Sequence, residues 1–224
     1  SMRISEFFYS LQGEGFLAGV PSVFIRLAGC PLRCKWCDTA YAWDFQSGTE
    51  LSAESLLSRA VEFPTRHLVV TGGEPLVQEN LAVFLKVFAQ AGYRITVETA
   101  GLCFVPDLPV FLLSISPKLS NSVNPGNPIP ESERLNFDTL SALLQTYPYR
   151  LKFVVDTPQD LDEIADCVQR LGSVDPERIC LMPQAVRRED YIKKSLWLAE
   201  YCLQTGFAFS PRLQVMLYNG QKGK

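Results

Sequence analysis

The sequence predicts an α/β fold, an incomplete TIM-like (β/α)6 barrel left open on one side. Apolar runs rich in β-branched residues alternate along the chain with segments of helical periodicity, the pattern of parallel strands joined by right-handed crossovers. The chain has 224 residues, short of the ~250 that a closed eight-fold barrel usually takes. A flat, doubly wound sheet is the competing architecture. In both, ligands sit at the C-terminal ends of the strands.

Taken in order, Val23-Phe24-Ile25-Arg26-Leu27 reads as the first strand and Ser55 to Val61 as a short helix. Leu68-Val69-Val70 is a strand. Glu79 to Ala91 is a helix, because Leu81, Phe84, Leu85 and Phe88 share one face and Gly92 ends it. Ile95-Thr96-Val97 and Phe111-Leu112-Leu113 are strands, Asp138 to Thr146 a helix and Leu151 to Val155 a strand. Thr157-Pro158-Gln159-Asp160 reads as a helix start, with a capping hydroxyl, proline at the first position and an acid in the first turn; that helix runs to about Leu171 before Gly172. Ile179-Cys180-Leu181, a helix from about Asp190 to Gln204 stopped by Gly206, and a strand near Phe207 to Phe209 complete about six βα units. Ser120 to Pro130, with its three prolines and three asparagines, reads as a mobile loop. With no linker or internal repeat, one domain over residues 1–224 is expected.

Apolar residues are 47% of the chain and charged residues 20%, the balance of a packed globular protein rather than a disordered one. No apolar run reaches the ~20 residues of a membrane span, so a soluble chain is expected. A net charge of -3 argues against sequence-independent nucleic-acid binding. No secretion signal is seen, and Ser1 before Met2 reads as a cloning remnant. The expected compartment is reducing, the cytoplasm. There an odd count of seven cysteines points to thiol or metal chemistry rather than disulfides. The single histidine, His67, removes mechanisms that need several imidazoles.

The strongest motif is Gly29-Cys30-Pro31-Leu32-Arg33-Cys34-Lys35-Trp36-Cys37, directly after the first strand. Three thiols in one loop can converge on a soft metal centre. A structural zinc site wants a fourth ligand, and Cys103, Cys167, Cys180 and Cys202 are scattered. A [4Fe–4S] cube held by three cysteines leaves one iron open. Zinc and inert buried thiols remain the alternatives. Thr71-Gly72-Gly73-Glu74-Pro75 follows the next strand, where two glycines allow a close approach of the main chain.

The CxxxCxxC loop and the GGEP turn resemble the radical S-adenosylmethionine (radical SAM) superfamily, which implies a [4Fe–4S] cluster whose open iron is chelated by S-adenosylmethionine. Reductive cleavage of the sulfonium then yields a 5′-deoxyadenosyl radical. Further segments resemble one of its families, 7-carboxy-7-deazaguanine synthase of the 7-deazapurine (queuosine precursor) pathway. They are Ser10-Leu11-Gln12-Gly13-Glu14-Gly15, Phe24 to Cys30, Trp36-Cys37-Asp38-Thr39, Glu98-Thr99-Ala100-Gly101 and Ser116-Pro117-Lys118. The resemblance is dense through Lys118 and weak beyond it. It implies a lyase that converts 6-carboxy-5,6,7,8-tetrahydropterin to 7-carboxy-7-deazaguanine, with hydrogen removed at C6, ring contraction and loss of ammonia. It also implies Mg²⁺, a homodimer and an electron donor such as flavodoxin.

Carried over position by position, the resemblance makes Cys30, Cys34 and Cys37 cluster ligands and Thr39 the magnesium-site residue. Trp36, Gly73, Ser116, Pro117 and Lys118 lie against the cofactor; Leu11, Gln12, Gly13, Arg26 and Thr71 lie against the substrate. Each has a plainer reading. Arg26 interrupts an apolar strand and needs an anionic partner, Glu98 could be a structural partner, and Leu11-Gln12-Gly13 could be a turn. Asp38-Thr39 could cap a helix, Ser116-Pro117-Lys118 could be a strand end, and Trp36 could simply pack. Relatives often carry a histidine near the C-terminus where this chain has Gln214, and Met182-Pro183-Gln184 resembles a cofactor-proximal segment only loosely. The tail from Tyr218 to Lys224 could reach the substrate. The rivals are a glycyl-radical activating enzyme, which has no use for the Leu11–Gly15 segment or magnesium, and a zinc-binding interaction module.

Overall fold

The computed structural model describes residues 1–172, 174–219 and 221. The chain runs β1 (Met2–Leu11), β2 (Pro21–Leu27), β3 (Thr49–Leu51), α1 (Ala53–Ala60), β4 (His67–Gly72), α2 (Leu81–Gln90) and β5 (Arg94–Thr99). It continues through β6 (Leu112–Ile115), α3 (Glu131–Arg134), α4 (Phe137–Thr146), β7 (Tyr149–Val155), α5 (Asp160–Leu171), β8 (Ile179–Pro183), α6 (Arg188–Thr205), β9 (Ala208–Phe209) and α7 (Leu213–Tyr218). All nine strands form one sheet in the order β3-β1-β2-β4-β5-β6-β7-β8-β9. From β2 to β9 every pairing is parallel. The end strands β3 and β9 do not pair with each other, so the barrel is open.

Strand β1 carries no clean alternation, since Ser5 and Glu6 follow one another across a register shift. It pairs antiparallel with both β2 and β3 and extends the sheet beyond the expected parallel set. That strand escapes the periodicity argument because pairing on both edges, not a regular apolar face, holds it.

Helix starts follow their caps: the Ser52 hydroxyl accepts from the Ser55 amide at 3.1 Å, and the Asn136 side chain from the Thr139 amide at 3.0 Å. The start expected at Thr157 is corrected. Helix α5 begins at Asp160, and the Asp160 carboxylate reaches back to accept the amides of Asp156 at 2.6 Å and Thr157 at 2.9 Å. The acid ties down the turn before the helix, while the first helical amides, Asp160 N and Leu161 N, donate to the carbonyls of Thr157 and Pro158. Helix α6 ends at Gly206, whose φ of 76° favours glycine. Within the expected loop, Ser120–Ser122 form a 3-10 turn and Asn124 bridges Asn127.

Strand side chains split by the period of two. Ile25, Val70, Val97, Leu113, Leu151 and Phe153 face the helices in the main core. Truncating a fully buried ring such as Phe88 or Phe153 would cost about 3–5 kcal/mol. The opposite face bears Arg26, Thr71, Glu98 and Lys152, which line a cavity. No described helix is long and apolar enough to cross a membrane.

Candidate active site

The cavity has a volume of about 480 Å³ and opens at the C-terminal ends of the parallel strands. The loop after β2 supplies Cys30, Cys34, Trp36, Cys37 and Thr39 to its wall; Thr71 and Gly73 come from the end of β4, Glu98 from β5, Ser116 and Lys118 from the segment after β6, and Lys152 from β7. Leu11, Gln12 and Gly13 reach it from the end of β1, and Arg26 from β2. Of the residues expected to contact ligands, Pro117 alone does not line the cavity; it is buried.

The cysteine loop is tied down by its own backbone. Cys37 N donates to Cys34 O at 3.1 Å and Lys35 N to Ser122 O at 3.0 Å. The Trp36 indole donates to Asn121 O at 3.0 Å, with the Lys118 ammonium 5.7 Å from its ring centre. Lys118 also donates to Ser116 O at 2.7 Å. Burial, and next the Glu74 carboxylate, push the Cys30 thiol up to about 12; burial also raises Cys34. Without a cation the Cys30 and Cys34 thiols are therefore protonated, and metal binding would have to displace those two protons.

Among the described residues no three Cys, His, Asp or Glu side chains are gathered tightly enough for a single metal ion. A cube offers three separate iron corners, so its three thiolates need only share a wall, as these do. The donor set fits a [4Fe–4S] cluster with one open iron. The four other cysteines stand apart: Cys167, Cys180 and Cys202 are buried in α5, β8 and α6, and Cys103 is half-buried.

The two glycines of the GGEP turn serve packing. A Cβ on Gly73 would overlap the Gly29 carbonyl, and Gly72, with φ of 122°, would meet the Leu27 backbone. The turn is stitched to the root of the cysteine loop by Gly73 N to Leu27 O and Glu74 N to Gly29 O, both 2.8 Å. Glu74 is buried; it accepts from Thr99 Oγ1, from Ala100 N at 2.7 Å and from Leu76 N at 3.1 Å, which locks β4 to β5.

The floor is a charged layer. Lys152 Nζ lies 2.6 Å from Glu14 Oε2 and 2.9 Å from Glu98 Oε2, with its side chain only 6% exposed. Gln12 Nε2 donates to Glu98 Oε1 at 3.2 Å, and Gln12 Oε1 accepts from Glu14 N at 3.2 Å. The Gln12 amide is thus largely committed inside the protein, and Glu98 is the group it presents. Burial opposes a charge on Glu14, but Lys152, then Arg212, and hydrogen bonds from Lys152 and Gln214 outweigh it and hold that carboxyl at about 2. Burial would lower the Lys152 pKa, and the two carboxylates raise it instead.

Arg26 has its anion. Its Nε donates to Glu6 Oε2 at 2.5 Å, and the Tyr41 hydroxyl donates to the same oxygen at 2.7 Å. Thr39 precedes a 3-10 turn but makes no capping bond; its hydroxyl lies 3.6 Å from Cys37 Sγ. Asp38 pairs with Arg212 at 2.8 Å. Gln214 donates to Glu14 Oε1 at 2.6 Å, while its own buried Oε1 has no partner among the described residues and lies where a Cβ of Gly13 would be. Of the tail, Gln221 lines the cavity; residues 220 and 222–224 lie outside the described residues.

Sequence reasoning missed Lys152, Arg212 and Glu6. A lysine inside an apolar strand is the same signal as Arg26, and it was available for Lys152. Arg212 and Glu6 lie in segments without periodicity and had none.

The profile of the Radical SAM superfamily matches residues 24–182. A 7-carboxy-7-deazaguanine synthase of Halobacterium salinarum is 35% identical, the match covering 98% of this chain and 91% of that protein. One of Rhodopirellula baltica is 36% identical over 100% of this chain and 89% of its own. Among solved structures, the crystal structure of QueE from Escherichia coli superposes with a TM-score of 0.72 at 26% identity, covering 93% of this chain and 92% of that one.

Proposed function

Because the chain belongs to the radical SAM superfamily and, within it, to the 7-carboxy-7-deazaguanine synthases, we propose how its own residues serve that reaction. The enzyme is a radical SAM lyase that converts 6-carboxy-5,6,7,8-tetrahydropterin to 7-carboxy-7-deazaguanine with loss of ammonia. Cys30, Cys34 and Cys37 would hold a [4Fe–4S] cluster, which when reduced would supply the electron for cleavage of S-adenosylmethionine to a 5′-deoxyadenosyl radical and methionine.

The observation that carries the assignment of roles is that the three thiols share one cavity with Arg26, Glu98 and Lys152. Glu6 occupies the Nε of Arg26 and leaves the terminal fork to bind the substrate carboxylate. Glu98, held by Lys152 and Gln12, accepts N–H donors from the pterin. Leu11, Gly13 and Thr71 bound the ring. Trp36, Gly73, Ser116 and Lys118 border S-adenosylmethionine, and Pro117 fixes the segment between the last two from its buried position. Thr39 would offer its hydroxyl oxygen to Mg²⁺, an ion that prefers oxygen ligands. The enzyme works as a homodimer in a reducing cytoplasm and takes its electrons from a donor such as flavodoxin.

Anaerobic incubation with reductant, S-adenosylmethionine and the carboxylated tetrahydropterin, scored for the deazapurine, tests the reading. Brown protein that forms the product supports it. Colourless protein with stoichiometric zinc, or cofactor cleavage without the deazapurine, overturns it.

A further inference from the structure

The Arg212 guanidinium has three nitrogens, and each holds a different loop of the site. Nε lies 3.3 Å from Glu14 Oε1, in the loop after β1 that also carries Gln12 and Gly13. The second terminal nitrogen lies 2.8 Å from Asp38 Oδ2, next to Thr39. The first donates to the carbonyl of Ala185, just past β8. Its side chain is only 9% exposed, whereas that of Asp38 is 54% exposed, and among the described residues no other cation pairs with Asp38. The backbone on either side repeats the link, since Leu213 N donates to Gly13 O at 2.9 Å and Gly15 N to Ser210 Oγ at 2.7 Å.

We infer that Arg212 is a positioning residue that couples the substrate loop around Gln12-Gly13-Glu14 to the magnesium-side loop around Asp38-Thr39. Surface ion pairs contribute little, because two long side chains must be ordered in water. This one is anchored on a buried guanidinium whose planar fork fixes direction as well as charge. A shift of either loop is felt by the other through one rigid group. The coupling rests on the reading of the cavity as the pterin and magnesium site.

The test uses reconstituted enzyme with S-adenosylmethionine and no reductant, so that nothing turns over. Binding of the carboxylated tetrahydropterin is measured by calorimetry with and without Mg²⁺. Arg212→Gln should weaken pterin binding about 10-fold or more and blunt the gain that magnesium brings. Affinity for S-adenosylmethionine should stay within about twofold. Arg212→Lys should recover only part of the loss, since it restores charge without the fork. Adding Asp38→Asn to Arg212→Gln should cost nothing more, the mark of a shared interaction. Unchanged pterin affinity and magnesium gain in folded Arg212→Gln, or additive effects in the cycle, would overturn the coupling. Should Arg212→Gln not fold, Asp38→Asn alone decides: a reduced magnesium gain supports the coupling and an unaltered one overturns it. If the unsubstituted enzyme itself fails to bind the pterin, the site assignment falls, and the coupling with it.

Discussion

Lys152 Nζ lies 2.6 Å from Glu14 Oε2, across 138 positions of sequence, and the same ammonium holds Glu98. Removing the shared cation leaves Glu14 with Arg212 and Gln214 and Glu98 with Gln12, a poorer balance of buried charge that should cost Lys152→Met about 3 kcal/mol in urea unfolding of the cluster-free protein. Adding Glu14→Gln should restore part of the loss, because one of the two carboxylates that lost Lys152 is then neutral. A variant as stable as the parent would mean that the layer carries no net interaction.

The acid response follows from Glu14. Its folded pKa of about 2 lies below the ordinary 4.5, so the folded chain binds this proton more weakly than the unfolded one does. The stabilisation is fully present above about pH 4.5 and is lost as pH falls toward 2. Across that window Glu14→Gln should show a shallower loss of stability than the parent, measured as urea midpoints on cluster-free protein. Parallel curves would deny the pairing.

Thr39 makes no capping bond, so Thr39→Val should change thermal stability little. If the hydroxyl is a magnesium ligand, the variant should keep its cluster and its S-adenosylmethionine binding while product formation falls on the order of 10²-fold. Uncoupled cofactor cleavage should persist. A magnesium titration of product formation with an unaltered midpoint would exclude the ligand role.

A side chain at Gly13 has room only if the Gln214 amide moves aside, because a Cβ would overlap it. Gly13→Ala should push the Gln214 amide off Glu14, disturb the substrate loop and raise the KM for the pterin more than that for S-adenosylmethionine. Gln214→Ala in the same chain should recover much of the loss by vacating the space. Equal KM values in parent and single variant would count against the fit.

Cys34→Ala should leave the fold intact, since the main core lies between sheet and helices and Cys34 is not part of it. The cube, with one thiolate fewer, should assemble poorly, and 5′-deoxyadenosine formation should vanish. Parent rates of that product would refute the ligand assignment.

The parallel strands and their helices were legible because each buries one apolar face, and a period of two or 3.6 is the direct trace of that burial. The cysteine loop was legible because thiols at that spacing have few other uses. β1 was hidden: it is held by pairing on both edges, and its residues Ser5, Glu6 and Ser10 read as polar noise. The charged floor was half visible. Arg26 declared itself by interrupting an apolar run; Lys152 interrupts one in the same way and was passed over, and their partners Glu6 and Glu14 come from another strand and its loop. Long-range pairing of that kind leaves no local pattern. The glycines of the GGEP turn carried the opposite lesson, since their local role is packing against Gly29 and Leu27.

Arg212 and Gln214 come after every strand of the sheet in chain order. A chain cut after β9 can therefore keep every strand of the sheet while Glu14 and Asp38 lack Arg212. A fusion or permutation that breaks the chain between Phe209 and Arg212 would separate folding from function.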